Sequence, residues 1–282
     1  MDRVQDYVGD TVEALARRLD DFFAGDLAYL EATGSYLQIG GSALWEQGGD
    51  WKFDDRIRLR LVLPRTQKRF RLVLESEREP EETQPADEER PAPPPPSESR
   101  RTLLGLEGRL QETRRWRVSL TGGVRFPLPP DPFVRLRGRL QVLPVASWRV
   151  RFAQSLFWFR SDGYGETTAV DLDRSLSPTV LFRSASSATF LLDESNFELT
   201  QSFGVYHHLS ARDALTYSYT VLGETNPRTQ VTDHVVGIRY RRGLYRDWLF
   251  FEVEPGIRFS REDDFRRIAF VGFKLDAVAR DD

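Results

Sequence analysis

From Gly34 to the end of the chain, apolar and polar residues alternate with a period of two. Successive side chains of a β-strand point to opposite faces, so this pattern predicts strands with one apolar and one polar face. Ile57, Leu59 and Leu61, for example, alternate with arginines on either side. No helical period interrupts the alternation, which predicts an all-β structure after residue 33.

The alternating region divides into about 14 segments, with 12 as the alternative count, and most have close to the ~9–11 residues that a tilted strand needs to cross a bilayer. They lie at residues 34–45, 53–63, 69–76, 102–112, 115–127, 132–142, 147–161, 165–174, 178–191, 196–208, 213–223, 230–241, 247–258 and 265–277. Connections after even-numbered segments are tight turns, whereas those after odd-numbered segments are richer in Gly, Pro and acidic residues. Short turns at one rim and longer loops at the other are typical of a closed antiparallel transmembrane β-barrel, which we expect over residues 34–278.

Two parts of the chain depart from the alternation. Residues 1–33 are predicted to form an amphipathic helix, over about residues 2–24, and a tether that places the helix at the periplasmic side or in the lumen as a plug. Residues 77–101 hold seven prolines and eight carboxylates against four arginines, without apolar periodicity. Such a composition cannot form a packed core and predicts a disordered loop within the barrel.

The six tryptophans fall into two groups at opposite ends of the predicted strands. Trp116, Trp148 and Trp248 follow tight turns, whereas Trp45, Trp51 and Trp158 lie beside the longer loops. Two such groups are typical of the aromatic girdles of membrane barrels, which contact outer-membrane lipid. Trp248 deviates, because its parity with Leu249 and Phe251 puts it on the polar face.

Composition excludes several classes of protein. The chain has no cysteine, which excludes disulfide frameworks and thiol chemistry. Its net charge of −3 gives no reason to expect nucleic acid as a partner. The longest apolar run, residues 268–273, is far below the roughly 18 residues of a membrane-spanning helix. No signal peptide is recognisable in this chain, because charged residues such as Asp2 and Arg3 interrupt any apolar core.

Three stretches, residues 155–159, 244–256 and 262–266, resemble an uncharacterised family of outer-membrane barrel proteins of Gram-negative bacteria. They read Ser-Leu-Phe-Trp-Phe, Leu-Tyr-Arg-Asp-Trp-Leu-Phe-Phe-Glu-Val-Glu-Pro-Gly and Glu-Asp-Asp-Phe-Arg. The resemblance implies the fold, an outer-membrane location and handling by the barrel-assembly machinery, but it carries no reaction. The chain departs from such barrels at its end, where residues 277–282 lack a terminal aromatic residue.

If the apolar residues face lipid, the polar face lines a lumen in which arginines outnumber acids about two to one. The lumen residues singled out are Arg56, Arg58, Arg60, Arg135, Arg137, Arg139, Arg149, Arg151, Arg239, Glu252 and Glu254. One interpretation is an electropositive pore that prefers anions, since fixed charges set selectivity. The other is an arginine–carboxylate ladder that braces the wall and closes the interior.

Signals for catalysis are sparse. His208 and Ser210 share a strand face, an arrangement that a lipid hydrolase in the outer membrane could use, but they adjoin a tight turn on the predicted periplasmic rim. We expect no catalytic residues, no metal site and no cofactor, and no protein partner follows from the sequence. The leading hypothesis is a non-enzymatic outer-membrane barrel, either a passive pore or a structural scaffold. The alternatives are a lipid hydrolase using His208 and Ser210, or a soluble β-sandwich that binds an apolar ligand.

Overall fold

The structure is a computed structural model. It describes residues 35–63, 70–78, 100–113, 115–126, 129–145, 148–192, 195–245 and 248–280. The predicted N-terminal helix and tether, residues 1–33, and most of the predicted loop at 77–101 lie outside the described residues. No helix in the described part of the chain is long and apolar enough to cross a membrane, a finding that does not bear on crossing by strands.

In the described part of the chain, fourteen strands form one closed antiparallel sheet, in which each strand pairs with its neighbours in sequence and the first pairs with the last. The strands are β1 (Tyr36–Glu46), β2 (Lys52–Val62), β3 (Phe70–Arg78), β4 (Arg100–Glu112), β5 (Trp116–Phe126), β6 (Asp131–Val145), β7 (Trp148–Phe159), β8 (Gly163–Ser177), β9 (Val180–Leu191), β10 (Asn196–Ser210), β11 (Asp213–Glu224), β12 (Gln230–Tyr245), β13 (Leu249–Ser260) and β14 (Arg267–Arg280). The prediction of a closed 14-strand barrel is confirmed. The alternative count of 12 is wrong, because the closed sheet contains β1 to β14. The alternative of a soluble β-sandwich is wrong, because there is a single sheet that closes on itself.

The seam between β1 and β14 is paired along the whole of β1, from Tyr36 opposite Arg280 to Glu46 opposite Phe270. This pairing leaves no open sheet edge among the described strands, which is what a spanning sheet requires in lipid. Strands β3 and β4 reach two residues further than predicted into the 77–101 segment, since Arg78 pairs with Arg100.

The two faces of the barrel have the reverse polarity of a soluble protein. Residues expected to point outward are exposed, among them Val134 at 47%, Leu156 at 48% and Val236 at 44%. Inward positions of the same sheet hold buried arginines, such as Arg58 at 1% and Arg149 at 1%. A sheet with an apolar exterior and a charged interior buries its apolar surface only when lipid surrounds it, so the polarity favours a membrane-spanning barrel.

Strands β4 and β5 approach closely where two inward-facing glycines, Gly105 and Gly123, stand opposite each other. A Cβ atom on Gly123 would lie 2.1 Å from the carbonyl oxygen of Leu104 and 2.6 Å from the Cα atom of Gly105. Only glycine fits this approach, because the obstructing atoms belong to the backbone and cannot rotate away.

Candidate functional site

The structure places every lumen residue singled out from the sequence on the inward face of the barrel, buried or half-buried. They belong to five strands: Arg56, Arg58 and Arg60 of β2, Arg135, Arg137 and Arg139 of β6, Arg149 and Arg151 of β7, Arg239 of β12, and Glu252 and Glu254 of β13. Their apolar neighbours in sequence point outward, as the period of two requires. The candidate site is therefore the interior of the barrel.

One part of the interior is an ion-pair network centred on Asp173 of β8. Asp173 stands opposite Arg149 of β7 and opposite Arg183 of β9. Its Oδ2 atom lies 2.6 Å from Arg149 Nη2, and its Oδ1 atom lies 2.7 Å from Arg183 Nε. Arg151 Nη2 lies 3.1 Å from Asp171 and 3.5 Å from Asp173. These contacts tie three neighbouring strands together across the inner face of the wall.

A second network joins β12, β13 and β14. Arg239 Nε donates to Glu254 Oε2 at 2.8 Å, and Arg241 donates to Glu252. Arg241 Nη1 also lies 3.9 Å from Asp276 Oδ2 of β14, the strand that pairs with β1 to close the barrel, and Lys274 Nζ lies 3.1 Å from the same oxygen. In each network at least one acid stands directly across a strand pair from a base, Asp173 from Arg149 and Glu252 from Arg241, which agrees with the ladder interpretation.

The interior also contains a chamber lined by the five consecutive strands β2 to β6. It is partly open to solvent and has a cavity volume of about 50 Å³. Its lining is Arg60, Arg71, Val73, Glu75, Leu103, Gly105, Glu107, Arg117, Ser119, Thr121, Phe133, Arg135, Arg137 and Arg139. Glu107 lies between two of the arginines, 3.6 Å from Arg60 Nη2 and 3.6 Å from Arg71 Nη1. Six guanidinium groups and two carboxylates belong to this lining, and Arg117 also lies 3.2 Å from Glu112 outside it.

Arginines of β6 have different cross-strand neighbours from those of the two networks. Arg139 stands opposite Arg117 of β5 and Ala153 of β7. The neighbours of Arg137 are Ser119 and Ser155, and those of Arg135 are Thr121 and Phe157. The β6 row is therefore bordered by hydroxyl, apolar and cationic side chains rather than by carboxylates directly across the strand pair.

The six tryptophans lie at the two rims of the barrel. Trp116, Trp148 and Trp248 are at the rim where both described ends of the chain lie, and Trp45, Trp51 and Trp158 are at the opposite rim. Tyr164 adds a ring 6.4 Å from that of Trp158, and Phe53 adds one 6.4 Å from that of Trp51. Trp248 is 44% exposed and packs edge-on against Tyr245.

The geometry at His208 and Ser210 gives the hydrolase alternative no support. The Ser210 hydroxyl donates to Asp213 Oδ2 at 2.6 Å and accepts a hydrogen bond from the backbone N–H of Arg212. Both contacts stabilise the turn between β10 and β11. A register shift also separates His208 from Ser210. No group of three potential metal ligands occurs among the residues that the structure describes.

No protein-family model matches the chain, and no curated protein matches it at a significant level. Solved structures do. The CymD monoaromatic hydrocarbon channel aligns with a TM-score of 0.56 at 8% identity, over 93% of this chain and 92% of that one. OprB of Pseudomonas putida aligns with a TM-score of 0.55 at 8% identity, over 88% of this chain and 94% of that one. The chain has the β-barrel fold found in these outer-membrane proteins.

Proposed function

We propose that this protein is a passive channel in the outer membrane of a Gram-negative bacterium, and that it belongs to the uncharacterised barrel family that it resembles. The observation that carries the proposal is the polarity of the closed barrel, with an apolar exterior and a charged, partly hollow interior. A lipid bilayer solvates the exterior, and water and ions occupy the interior. This protein shares its fold with CymD, which supports the proposal at the level of architecture.

The two interpretations of the arginine-rich lumen apply to different parts of the wall. Around Asp173 and at the β12–β14 seam, arginines pair with carboxylates and brace neighbouring strands. Along β2 to β6 the wall lines a partly open chamber in whose lining arginines outnumber carboxylates. In this proposal the first two regions are the scaffold, and the chamber belongs to the path of the solute. Insertion into the membrane relies on the barrel-assembly machinery, and the tryptophans at the rims contact lipid headgroups.

Planar-bilayer recording tests the channel directly. We expect the refolded full chain to give discrete current steps, or to give them when the chain begins at Gly34, in case residues before it obstruct the mouth. Circular dichroism and the heat-dependent shift in gel mobility provide controls for folding. If both folded proteins leave the bilayer silent at all voltages, the channel proposal is wrong and the barrel is a scaffold alone.

A further inference from the structure

A polar patch interrupts the apolar exterior of the barrel on four consecutive strands, β7 to β10. Its members are Gln154, Thr168, Ser184, Ser186 and Gln201. Each of the five has at least one sequence neighbour that is buried in the interior, so alternation directs its own side chain outward. The next outward positions on β7, Phe152 and Leu156, are apolar and exposed, as is usual for a surface in contact with lipid.

The polar patch lies away from both rims of the barrel. On β7 the tryptophans Trp148 and Trp158 mark the two rims, and Gln154 lies between them. Each member of the patch is four or more residues from either end of its strand. Lipid chains offer no partners for hydrogen bonds, so polar groups at this depth have to bond to protein.

Most of the polar patch is satisfied within the chain. The Gln201 amide accepts from Ser186 Oγ at 2.5 Å and donates to Ser184 Oγ at 3.1 Å. Gln154 differs, because its Oε1 atom accepts from Thr168 Oγ1 at 2.6 Å while no described residue accepts from its Nε2 atom. The Gln154 amide therefore keeps two N–H donors at a depth where lipid cannot accept them.

A second copy of this chain has the chemistry that fits the patch. Copies of one barrel insert in the same direction, so a two-fold axis along the membrane normal brings each patch against itself at the same depth. Such an isologous interface has to be self-complementary. Amides and hydroxyls both donate and accept, and no member of the patch carries a charge that its own copy would repel. The nearby Glu166 lies farther towards the rim, two residues from Tyr164, where water and headgroups can solvate its carboxylate.

We propose that two copies of this barrel associate in the membrane through the polar patch, with the Gln154 amide of each copy donating to a patch oxygen of the other. The acceptors are hydroxyl and amide oxygens, which have two lone pairs each. Hydrogen bonds between Ser, Thr and Gln side chains associate membrane-spanning helices for the same reason, since lipid supplies no partner. The inference rests on the membrane location in the proposed function but not on conduction.

Cross-linking through single cysteines tests the interface, because the chain has no cysteine of its own. Ala188 of β9 faces outward beside the patch, directly opposite Thr168. A188C in bilayers, treated with a short thiol-to-thiol cross-linker, should give a covalent dimer. A43C is the matched control, since Ala43 also faces outward and also lies three residues before the end of its strand at the same rim. It belongs to β1, on the opposite side of the closed barrel, and should stay a single chain.

The mass of the wild-type particle and its dependence on Gln154 give a second test. Analytical ultracentrifugation in density-matched detergent should find two chains in each particle. Q154L replaces the amide by a side chain that lipid accepts, so it should raise the dissociation constant of the dimer about tenfold, because each copy loses one hydrogen bond. The heat-dependent shift in gel mobility shows whether the variant barrel is folded.

The outcomes separate the interface from the channel. Failure of A188C to cross-link overturns the interface, and so does equal cross-linking of A188C and A43C, which indicates random collisions. An unchanged dissociation constant for Q154L overturns the role of Gln154. A conducting particle of one chain removes the dimer and leaves the channel proposal intact. A cross-linked dimer that leaves bilayers silent removes the channel and leaves the interface.

Discussion

Arg149 donates two hydrogen bonds to one carboxylate oxygen of Asp173, from Nε at 2.9 Å and from Nη2 at 2.6 Å. Arg183 donates to the other oxygen at 2.7 Å. The three side chains come from β7, β8 and β9 and are almost completely excluded from solvent. Asp173 therefore neutralises buried arginines on both sides and links three strands across the inner face of the wall.

Replacing Asp173 by asparagine should destabilise the barrel, because the substitution leaves buried guanidinium groups without their counter-charge. Loss of one partner from a buried ion pair typically costs about 3 kcal/mol or more of unfolding free energy. Chemical denaturation of the folded barrel in detergent measures the effect as a lower midpoint. Asp171→Asn is the control, since Asp171 is more exposed and lies 3.1 Å from Arg151, and its effect should be smaller. Equal midpoints for the two variants would contradict the central role of Asp173.

Gly123→Ala should also destabilise the barrel, because the added methyl group would meet the backbone of β4 at Leu104 and Gly105. The adjacent residue gives a matched control. A Cβ atom on Gly122 would have the carbonyl oxygen of Phe133, at 3.9 Å, as its nearest neighbour, so Gly122→Ala should be tolerated. The measurement is the unfolding temperature of each variant in the same detergent. A barrel that tolerates both substitutions alike would show that β4 and β5 can separate at this point without cost.

Removing residues 1–33 should increase the conductance of the barrel and its preference for anions. The predicted helix is rich in carboxylates, including Asp2, Asp6 and Asp10, which can pair with lumen arginines such as Arg135 and Arg137. Single-channel recordings of the full chain and of a chain beginning at Gly34 measure both quantities. Identical conductance and selectivity would show that the N-terminal segment does not control the pore.

Replacing residues 79–99 by a short Gly/Ser turn should leave the barrel folded. Strands β3 and β4 are already paired up to Arg78 and Arg100, so a short connection can join them without changing their register. A longer connection adds little to the entropy of loop closure, and its removal should therefore change stability little. Circular dichroism and the unfolding temperature of the shortened chain measure the outcome. Failure to fold would assign the segment a structural role that its composition does not predict.

Much of the fold follows from local sequence. Side chains of a strand alternate by covalent geometry alone, so the period of two was sufficient to assign Val134 and Leu156 to the exterior and Arg135 and Arg137 to the interior. Strand number followed from the positions of turn-forming residues. Alternation no longer applies at strand ends, where Trp248 precedes β13 and Ser210 bonds to Asp213 within a turn.

Register was decided only by the tertiary structure. The sequence gives no rule by which Asp173 lies between Arg149 and Arg183, or by which Arg139 lies opposite Arg117. Those pairings depend on how far each strand slides past its neighbour, which the closure of the whole sheet fixes through backbone hydrogen bonds. Composition determined that the lumen would be rich in arginine. Register determined which arginines stand directly across a strand pair from a carboxylate, as Arg149 does from Asp173. This matters because electrostatic energy depends on the distances between charges and not only on their number.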